Sequence, residues 1–140
     1  MEAAPAVIWA KLAHPENWWN KSHSWSGDSA NLSLSLKKGG CFCERLPGGG
    51  FVEHARVIHL AARRMLRLSG ALGPLQGEAL AGTLTVTITA IDARRSKISF
   101  DYVVGGFARF PLDSIAPAVD GVIGEQHSRL VRLVSTGKAE

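Results

Sequence analysis

The feature of this sequence that most constrains its fold is a strict two-residue alternation over residues 83–91. Threonines alternate there with the apolar side chains Leu84, Val86 and Ile88. Successive side chains of a β-strand point to opposite faces of a sheet, so this pattern predicts a strand with one apolar face and one polar face. Such a strand is typical of an antiparallel sheet that is covered on one side and exposed to water on the other.

Other segments show strand patterns of the same kind, separated by turn residues. The predicted strands are residues 31–36, 41–46, 51–60, 65–72, 83–91 and 97–104. Pro47-Gly48-Gly49-Gly50 joins the second and third of them and is a strong hairpin signal. The short connections predict six strands in hairpin order.

Helical patterns are confined to the two ends of the chain. Residues 3–12 predict a short helix, and residues 16–19 predict one further helical turn. From Leu112 to Val134 apolar residues recur at the spacing of one helix face, which predicts a helix long enough to cross the sheet. The 140 residues therefore predict a single α+β domain, in which a long C-terminal helix covers an antiparallel sheet.

Composition and charge exclude several classes of protein. No apolar run reaches the roughly 18 residues that a membrane span needs. The net charge of +4 comes from scattered basic residues, so we expect no nucleic-acid binding. No nucleophile elbow, phosphate loop or dinucleotide fingerprint is present, and we expect no cofactor. No leader is visible at the N-terminus, which predicts a cytoplasmic location for the chain as given.

Four segments of the sequence resemble the SRPBCC superfamily, the START and Bet v 1-like group. They are WWNKSHSWSGD at 18–28, GGCFCERLPGG at 39–49, LSGALGPL at 68–75 and GEQ at 124–126. The resemblance extends from Ala4 to Val134 and lies near the polyketide-cyclase-like and Hsp90-ATPase-activator-homologue-like branches. It implies a helix-grip fold, with two short N-terminal helices and a curved sheet wrapped around the long helix. Members of the superfamily share a cavity rather than a chemistry.

Members of this superfamily also have a strand before the short helices, and this sequence begins after that strand. Either an upstream segment is absent or the sheet has a bare edge. A bare edge invites pairing with a second copy, so we expect a homodimer through it. Relatives of this branch often carry a secretory leader before that strand, which would place the protein in the periplasm or outside the cell.

The expected register of the first hairpin brings two glutamates together. If Leu46 lies opposite Phe51, then Glu44 lies opposite Glu53, and both face the apolar side of the sheet. Two carboxylates in an apolar cavity cannot both ionise at low cost, so the pKa of one should rise. The pair is our candidate general acid/base, proton-sharing pair or cation site. The alternative is a structural network neutralised by arginines or solvent.

Four other residues are candidate ligand contacts. Gln126 lies in the apolar stripe of the final helix, where a buried amide needs a partner such as Tyr102 or a ligand. A fully satisfied structural glutamine is the alternative. His23 and Trp25 belong to a loop expected at the rim of the cavity, although such residues more often pack in a core or a lid.

Cys41 and Cys43 are expected beside His54 on the outer face of the hairpin. The Cys-x-Cys spacing is poorly suited to a disulfide, so we expect free thiols. Together with His54 they would supply three soft ligands, one short of a structural zinc site, and we expect no metal.

Three functions follow from these residues. The leading hypothesis is binding of a small hydrophobic or aromatic molecule in the cavity between sheet and helix. The first alternative is a cyclase- or hydrolase-like enzyme in which Glu44 or Glu53 moves a proton while Gln126 and Tyr102 orient the substrate. The second alternative is a protein-interaction domain, as in the chaperone-activator branch, with a collapsed cavity.

Overall fold

The strands form one curved antiparallel sheet in the computed structural model, which describes residues 1–140. They are β1 (Leu32–Leu34), β2 (Cys41–Arg45), β3 (Phe51–Ala61), β4 (Met65–Ser69), β5 (Ala79–Ala90) and β6 (Ser96–Phe107). Their order in the sheet is their order in the chain. The predicted six-stranded antiparallel arrangement is therefore confirmed.

The alternation in β5 has the predicted consequence for burial. Leu84, Val86 and Ile88 are buried, while the threonines between them are only partly buried. Tyr102 and Phe100 of β6 lie opposite Leu84 and Val86 and continue the covered face across the sheet. The sheet is thus one-sided, because the alternation assigns every second side chain to the core.

Two α-helices flank the sheet in sequence, α1 (Pro5–Leu12) and α2 (Leu112–Thr136). The long C-terminal helix is confirmed, and it ends at Gly137, whose left-handed backbone suits a helix C-terminus. The second predicted N-terminal helix is only a 3-10 turn at Pro15–Asn17. Neither helix combines the length and the apolar composition that crossing a bilayer requires.

The two halves of α2 are packed differently. The buried residues Ile123, Gln126, Leu130 and Leu133 lie between the middle of the helix and its C-terminal end. Residues 112–122 include no buried side chain. The remaining void in the core below Trp18 and Phe42 is about 20 Å³, which is room for about one water molecule. Beside the first half of α2, by contrast, lie two clefts of ligand size that are lined mainly by apolar residues.

A β-bulge in β3 makes the predicted hairpin register wrong. Phe42 lies opposite Ala55 but Cys43 lies opposite Glu53, so His54 is an extra residue on β3. His54 and Ala55 are both buried, whereas Glu53 is exposed. Glu44 lies opposite Val52, and the predicted pairing of Glu44 with Glu53 does not form.

The same bulge removes the predicted cluster of two cysteines and a histidine. His54 packs against Phe42 on the covered side of the sheet, with ring centroids 5.0 Å apart. Cys41 and Cys43 are joined by a disulfide, so the prediction of free thiols is wrong. Their Cα atoms are 5.4 Å apart, within the range that a disulfide spans. No group of three His, Cys, Asp or Glu side chains is placed to hold a metal ion.

β6 forms an edge of the sheet that is mostly unpaired. The amino group of Met1 donates to the Ser96 carbonyl at 2.8 Å, and the Ser96 N–H donates to the Met1 carbonyl at 3.1 Å. Alternate residues present their backbone groups to the same edge, so the even-numbered residues of β6 that follow also face outward. The Ile98 carbonyl lies 3.1 Å from Nε2 of His127. From Phe100 onward the edge is bare.

Candidate ligand-binding cleft

Two clefts lie on the flanks of the first half of α2. The loop-side cleft, about 340 Å³, lies between α2, the loop of His23 and Trp25, and the turn at Gly73–Leu75. The sheet-side cleft, about 510 Å³, lies between α2 and β6. The residues that line both clefts are Tyr102, Ile115, Val119 and Ile123. The clefts therefore meet beneath the helix.

Aromatic and aliphatic side chains dominate the loop-side cleft. Trp19 forms part of its wall, and Val122 of α2 lies across from the loop. Trp25 stands at the mouth and is 55% exposed. A tryptophan in this position offers a flat apolar surface on which a ligand can stack. The prediction that His23 and Trp25 lie at the rim agrees with this geometry.

Tyr102 lines both clefts with its ring, while its hydroxyl is already engaged. The hydroxyl donates to the Gly70 carbonyl at 2.9 Å and accepts from the Leu72 N–H at 2.9 Å. A Cβ at position 82 would come within 2.6 Å of that hydroxyl, so Gly82 is needed there. Burial raises the pKa of Tyr102 and outweighs the bond from Leu72. Tyr102 therefore shapes the clefts with its ring. Its hydroxyl does not bond to Gln126, because Gly70 and Leu72 already occupy it.

Glu44 holds the loop that forms the rim. Its carboxylate is fully buried and accepts from the Trp25 N–H at 3.1 Å, the Ser26 N–H at 2.6 Å and His54 Nε2 at 2.9 Å. These bonds tie two successive loop residues to β2 and β3. Glu44 lines neither cleft, so its position gives it a structural role.

The protonation states of this buried pair follow from its surroundings. Burial opposes ionisation of Glu44, but bonds from Ser26, Trp25 and His54 hold its pKa below the ordinary 4.5. Burial also lowers the pKa of His54 below the ordinary 6.5, against the opposing pull of the Glu44 carboxylate. At neutral pH the pair is therefore a carboxylate and a neutral imidazole. Because a carboxylate only accepts hydrogen bonds, Nε2 carries the proton of His54.

Glu53 lies outside both clefts. Its carboxylate is 40% exposed and forms an ion pair with Arg56 on the outer surface. Its backbone carbonyl accepts a bond from the Gln76 side chain at 2.9 Å. The structure thus separates the two glutamates that sequence reasoning placed together, and the acid/base pair has no geometric basis.

Gln126 is fully buried, as its position in the apolar stripe predicted. Its Oε1 accepts from the Asn20 N–H at 2.8 Å, which fastens the start of the rim loop to α2. Its Nε2 has no partner, and neither does Nε1 of the buried Trp18. Gln126 lines neither cleft, so its role in the structure is to anchor the loop.

A second Glu–His pair, which sequence reasoning missed, lies at the rim of the loop-side cleft. His23 Nε2 is 3.0 Å from Glu125 Oε2, and the Asn20 side-chain amide donates to the other carboxylate oxygen. The bond from Asn20 lowers the pKa of Glu125 most, His23 and Arg129 lower it further, and burial opposes them. Glu125 directly precedes Gln126 in α2. Because Gln126 was predicted to face the sheet, its neighbour Glu125 could have been expected close to the same loop.

Comparison with known proteins supports the architecture. No protein-family model matches the chain, and no curated protein matches it. Protein SA2116 of Staphylococcus aureus, described as of unknown function, has a similar structure, with a TM-score of 0.59 at 12% identity over 97% of this chain and 89% of its own. A putative uncharacterised protein of Rhizobium leguminosarum gives 0.63 at 16% identity over 96% and 89%. Protein MLL2253 of Mesorhizobium loti gives 0.56 at 16% identity over 94% and 90%. At these identities the likeness shows a shared fold.

Proposed function

We propose that the protein binds a small hydrophobic or aromatic molecule in the loop-side cleft. The observation that carries this proposal is the uneven packing of α2. The buried residues of the helix begin at Ile123, while Ile115, Val119 and Val122 line an open apolar cleft. The cleft volume of about 340 Å³ falls within the range of small-molecule sites.

The loop-side cleft suits such a ligand better than the sheet-side cleft. Asp113 and Asp120 line the sheet-side cleft, and covering carboxylates with an apolar molecule costs free energy. No aspartate or glutamate lines the loop-side cleft, whose wall includes the rings of Trp19 and Trp25. Aromatic rings bury large apolar areas and favour stacked or edge-to-face contact with a flat ligand.

We propose as well that the protein is a member of the SRPBCC superfamily. The arrangement of the sheet and the C-terminal helix supports this proposal. An open cleft favours ligand binding over a protein-interaction domain with a collapsed cavity. The enzyme alternative loses its acid/base pair, since Glu44 is fully engaged and Glu53 points to solvent.

Two alanines of α2 offer a matched test of this site. Ala118 lines the loop-side cleft and Ala116 lines the sheet-side cleft, and both are exposed. Calorimetric titration with N-phenyl-1-naphthylamine, a neutral aromatic probe, should show binding to the wild type. We expect Ala118→Trp to weaken it by about tenfold or more, because the indole fills the cleft. Ala116→Trp should change it by no more than about twofold. Absence of binding, or equal losses in the two variants, would contradict the proposal.

We also propose that two copies pair through the bare edge of β6. Val103 and Phe107 on this strand are 70% and 71% exposed, and antiparallel pairing of identical strands satisfies a two-fold axis. In Val104→Pro the missing N–H faces the free edge, so the monomer should tolerate it while pairing is lost. Sedimentation should show a dimer for the wild type and for Val104→Thr, and a monomer for Val104→Pro. A concentration of about 100 μM lies far above the dissociation constants of stable interfaces. A wild type that still sediments as a monomer at that concentration would contradict pairing.

A further inference from the structure

We propose that the ligand of the loop-side cleft is a hydroxyaromatic molecule whose hydroxyl donates a hydrogen bond to Nδ1 of His23. This inference rests on the proposed function and names the chemical class of the ligand.

The bonding of His23 fixes which ring nitrogen is an acceptor. Nε2 lies 3.0 Å from the carboxylate of Glu125, and a carboxylate only accepts hydrogen bonds. Nε2 therefore carries the proton of the neutral ring, and Nδ1 keeps its lone pair. No residue of the chain bonds Nδ1. His23 lines the cleft with a side chain that is 34% exposed, so an unused acceptor is available to a ligand.

The ring of His23 is held in place from two sides. Glu125, which orients the imidazole, is itself held by the side-chain amide of Asn20. The backbone carbonyl of His23 accepts from Nε1 of Trp19 at 3.0 Å, and Trp19 forms part of the cleft wall. The backbone of the residue that carries the acceptor is thus bonded directly to the aromatic wall. An acceptor fixed before binding costs less ordering entropy when the ligand arrives.

Charges around His23 come from a few groups. Glu125 touches its ring, Arg129 of the same helix acts on Glu125, and Lys21 lies in the same 3-10 turn as His23. These opposite charges leave no concentrated positive site for an anion. The hydroxyls of Tyr102 and Ser24 are already bonded within the protein. An apolar aromatic cleft with a fixed acceptor at its rim favours a flat ligand that carries one neutral hydrogen-bond donor. An aromatic ring with a hydroxyl group is such a ligand.

The test compares two probes of nearly the same shape at neutral pH. We expect 2-naphthol to bind about tenfold more tightly than 2-methoxynaphthalene in calorimetric titrations, the value of about one net hydrogen bond. His23→Phe should remove that preference, so that the ratio of the two affinities falls to about one. His14→Phe is the matched control, because His14 also bonds a glutamate, Glu16, at 2.9 Å but lies outside the cleft. It should keep the full preference.

Glu125→Gln tests the positioning of the ring. An amide can donate as well as accept, so the ring is free to take the tautomer with its proton on Nδ1. We expect the ratio of the affinities for 2-naphthol and 2-methoxynaphthalene to fall by several-fold.

The outcomes separate this inference from the proposed function. Equal affinity of the wild type for the two probes overturns the role of His23 but leaves an apolar site in place. Tighter binding of 2-naphthoate than of 2-naphthol overturns the neutral-donor class. Failure of every probe to bind overturns both proposals.

Discussion

The molecule contains two Glu–His pairs of almost equal geometry in very different surroundings. Glu44 and His54 are 2.9 Å apart, with side chains 0% and 8% exposed. Glu125 and His23 are 3.0 Å apart, with side chains 38% and 34% exposed. The buried pair has its carboxylate saturated by loop donors, whereas the rim pair leaves a ring nitrogen free at a cleft. The same two side chains therefore hold the loop at one place and are proposed to contact a ligand at the other.

The comparison also predicts unequal contributions to stability. Removing one partner of a buried, hydrogen-bonded pair leaves the other groups without partners, which typically costs several kcal/mol. An exposed pair contributes little, because water replaces the lost bond. Stability and ligand binding should therefore depend on different pairs.

The largest expected effect is that of Glu44→Ala. The N–H groups of Trp25, Ser26 and His54 lose their acceptor, so the free energy of unfolding should fall by about 3 kcal/mol. Urea denaturation measures this change. Glu125→Ala is the control for the rim pair and should cost less than about 1 kcal/mol. Equal losses in the two variants would remove the distinction between the pairs.

A smaller effect should appear on acidification. The folded-state pKa of His54 lies below its ordinary 6.5, so the unfolded chain binds more protons between the two values. Stability from this group is fully present above about pH 6.5 and is lost as the pH falls through the folded value. Glu44, with a pKa below 4.5, adds a further loss at lower pH. Urea midpoints between pH 7 and pH 5 measure the decline.

The histidine variants assign that decline to one pair. His54→Phe should flatten the pH dependence between pH 7 and pH 5, while His23→Phe should leave it as in the wild type. A wild-type stability that stays constant over this range would contradict the neutral state assigned to His54.

The smallest effect is expected for Gln126→Met. The Asn20 N–H loses its acceptor, but an unpaired buried Nε2 is removed as well. The two changes offset each other, so the free energy of unfolding should fall by no more than about 1 kcal/mol. A loss as large as that of Glu44→Ala would mean that loop anchoring depends on α2 rather than on the buried pair.

Strand number and order were predictable because they depend on local patterns. The alternation of Leu84, Val86 and Ile88 and the glycine-rich turns carry that information in a few neighbouring residues. The pairing of Glu44 was not predictable, since the single extra residue His54 in β3 reverses which side chains face inward from that point.

The rim site was only half predictable. His23 and Trp25 were recognised as rim residues, but Glu125 contacts His23 across 102 positions of the chain. The apolar stripe of α2 runs along its whole length, so the pattern cannot tell which half the core will cover. Which half is covered depends on how far the sheet and the rim loop extend along the helix in the folded protein.

The most direct test of the account is a long-range proton–nitrogen correlation NMR spectrum of the histidine rings during titration with 2-naphthol. In the neutral form of each ring, Nε2 should carry the proton of both His23 and His54, because Nε2 faces a carboxylate. We predict that 2-naphthol shifts the Nδ1 resonance of His23 and leaves the resonances of His54 in place. Saturating 2-naphthol without any change at His23, or with the change at His54 instead, would contradict the assignment of the rim pair to ligand binding.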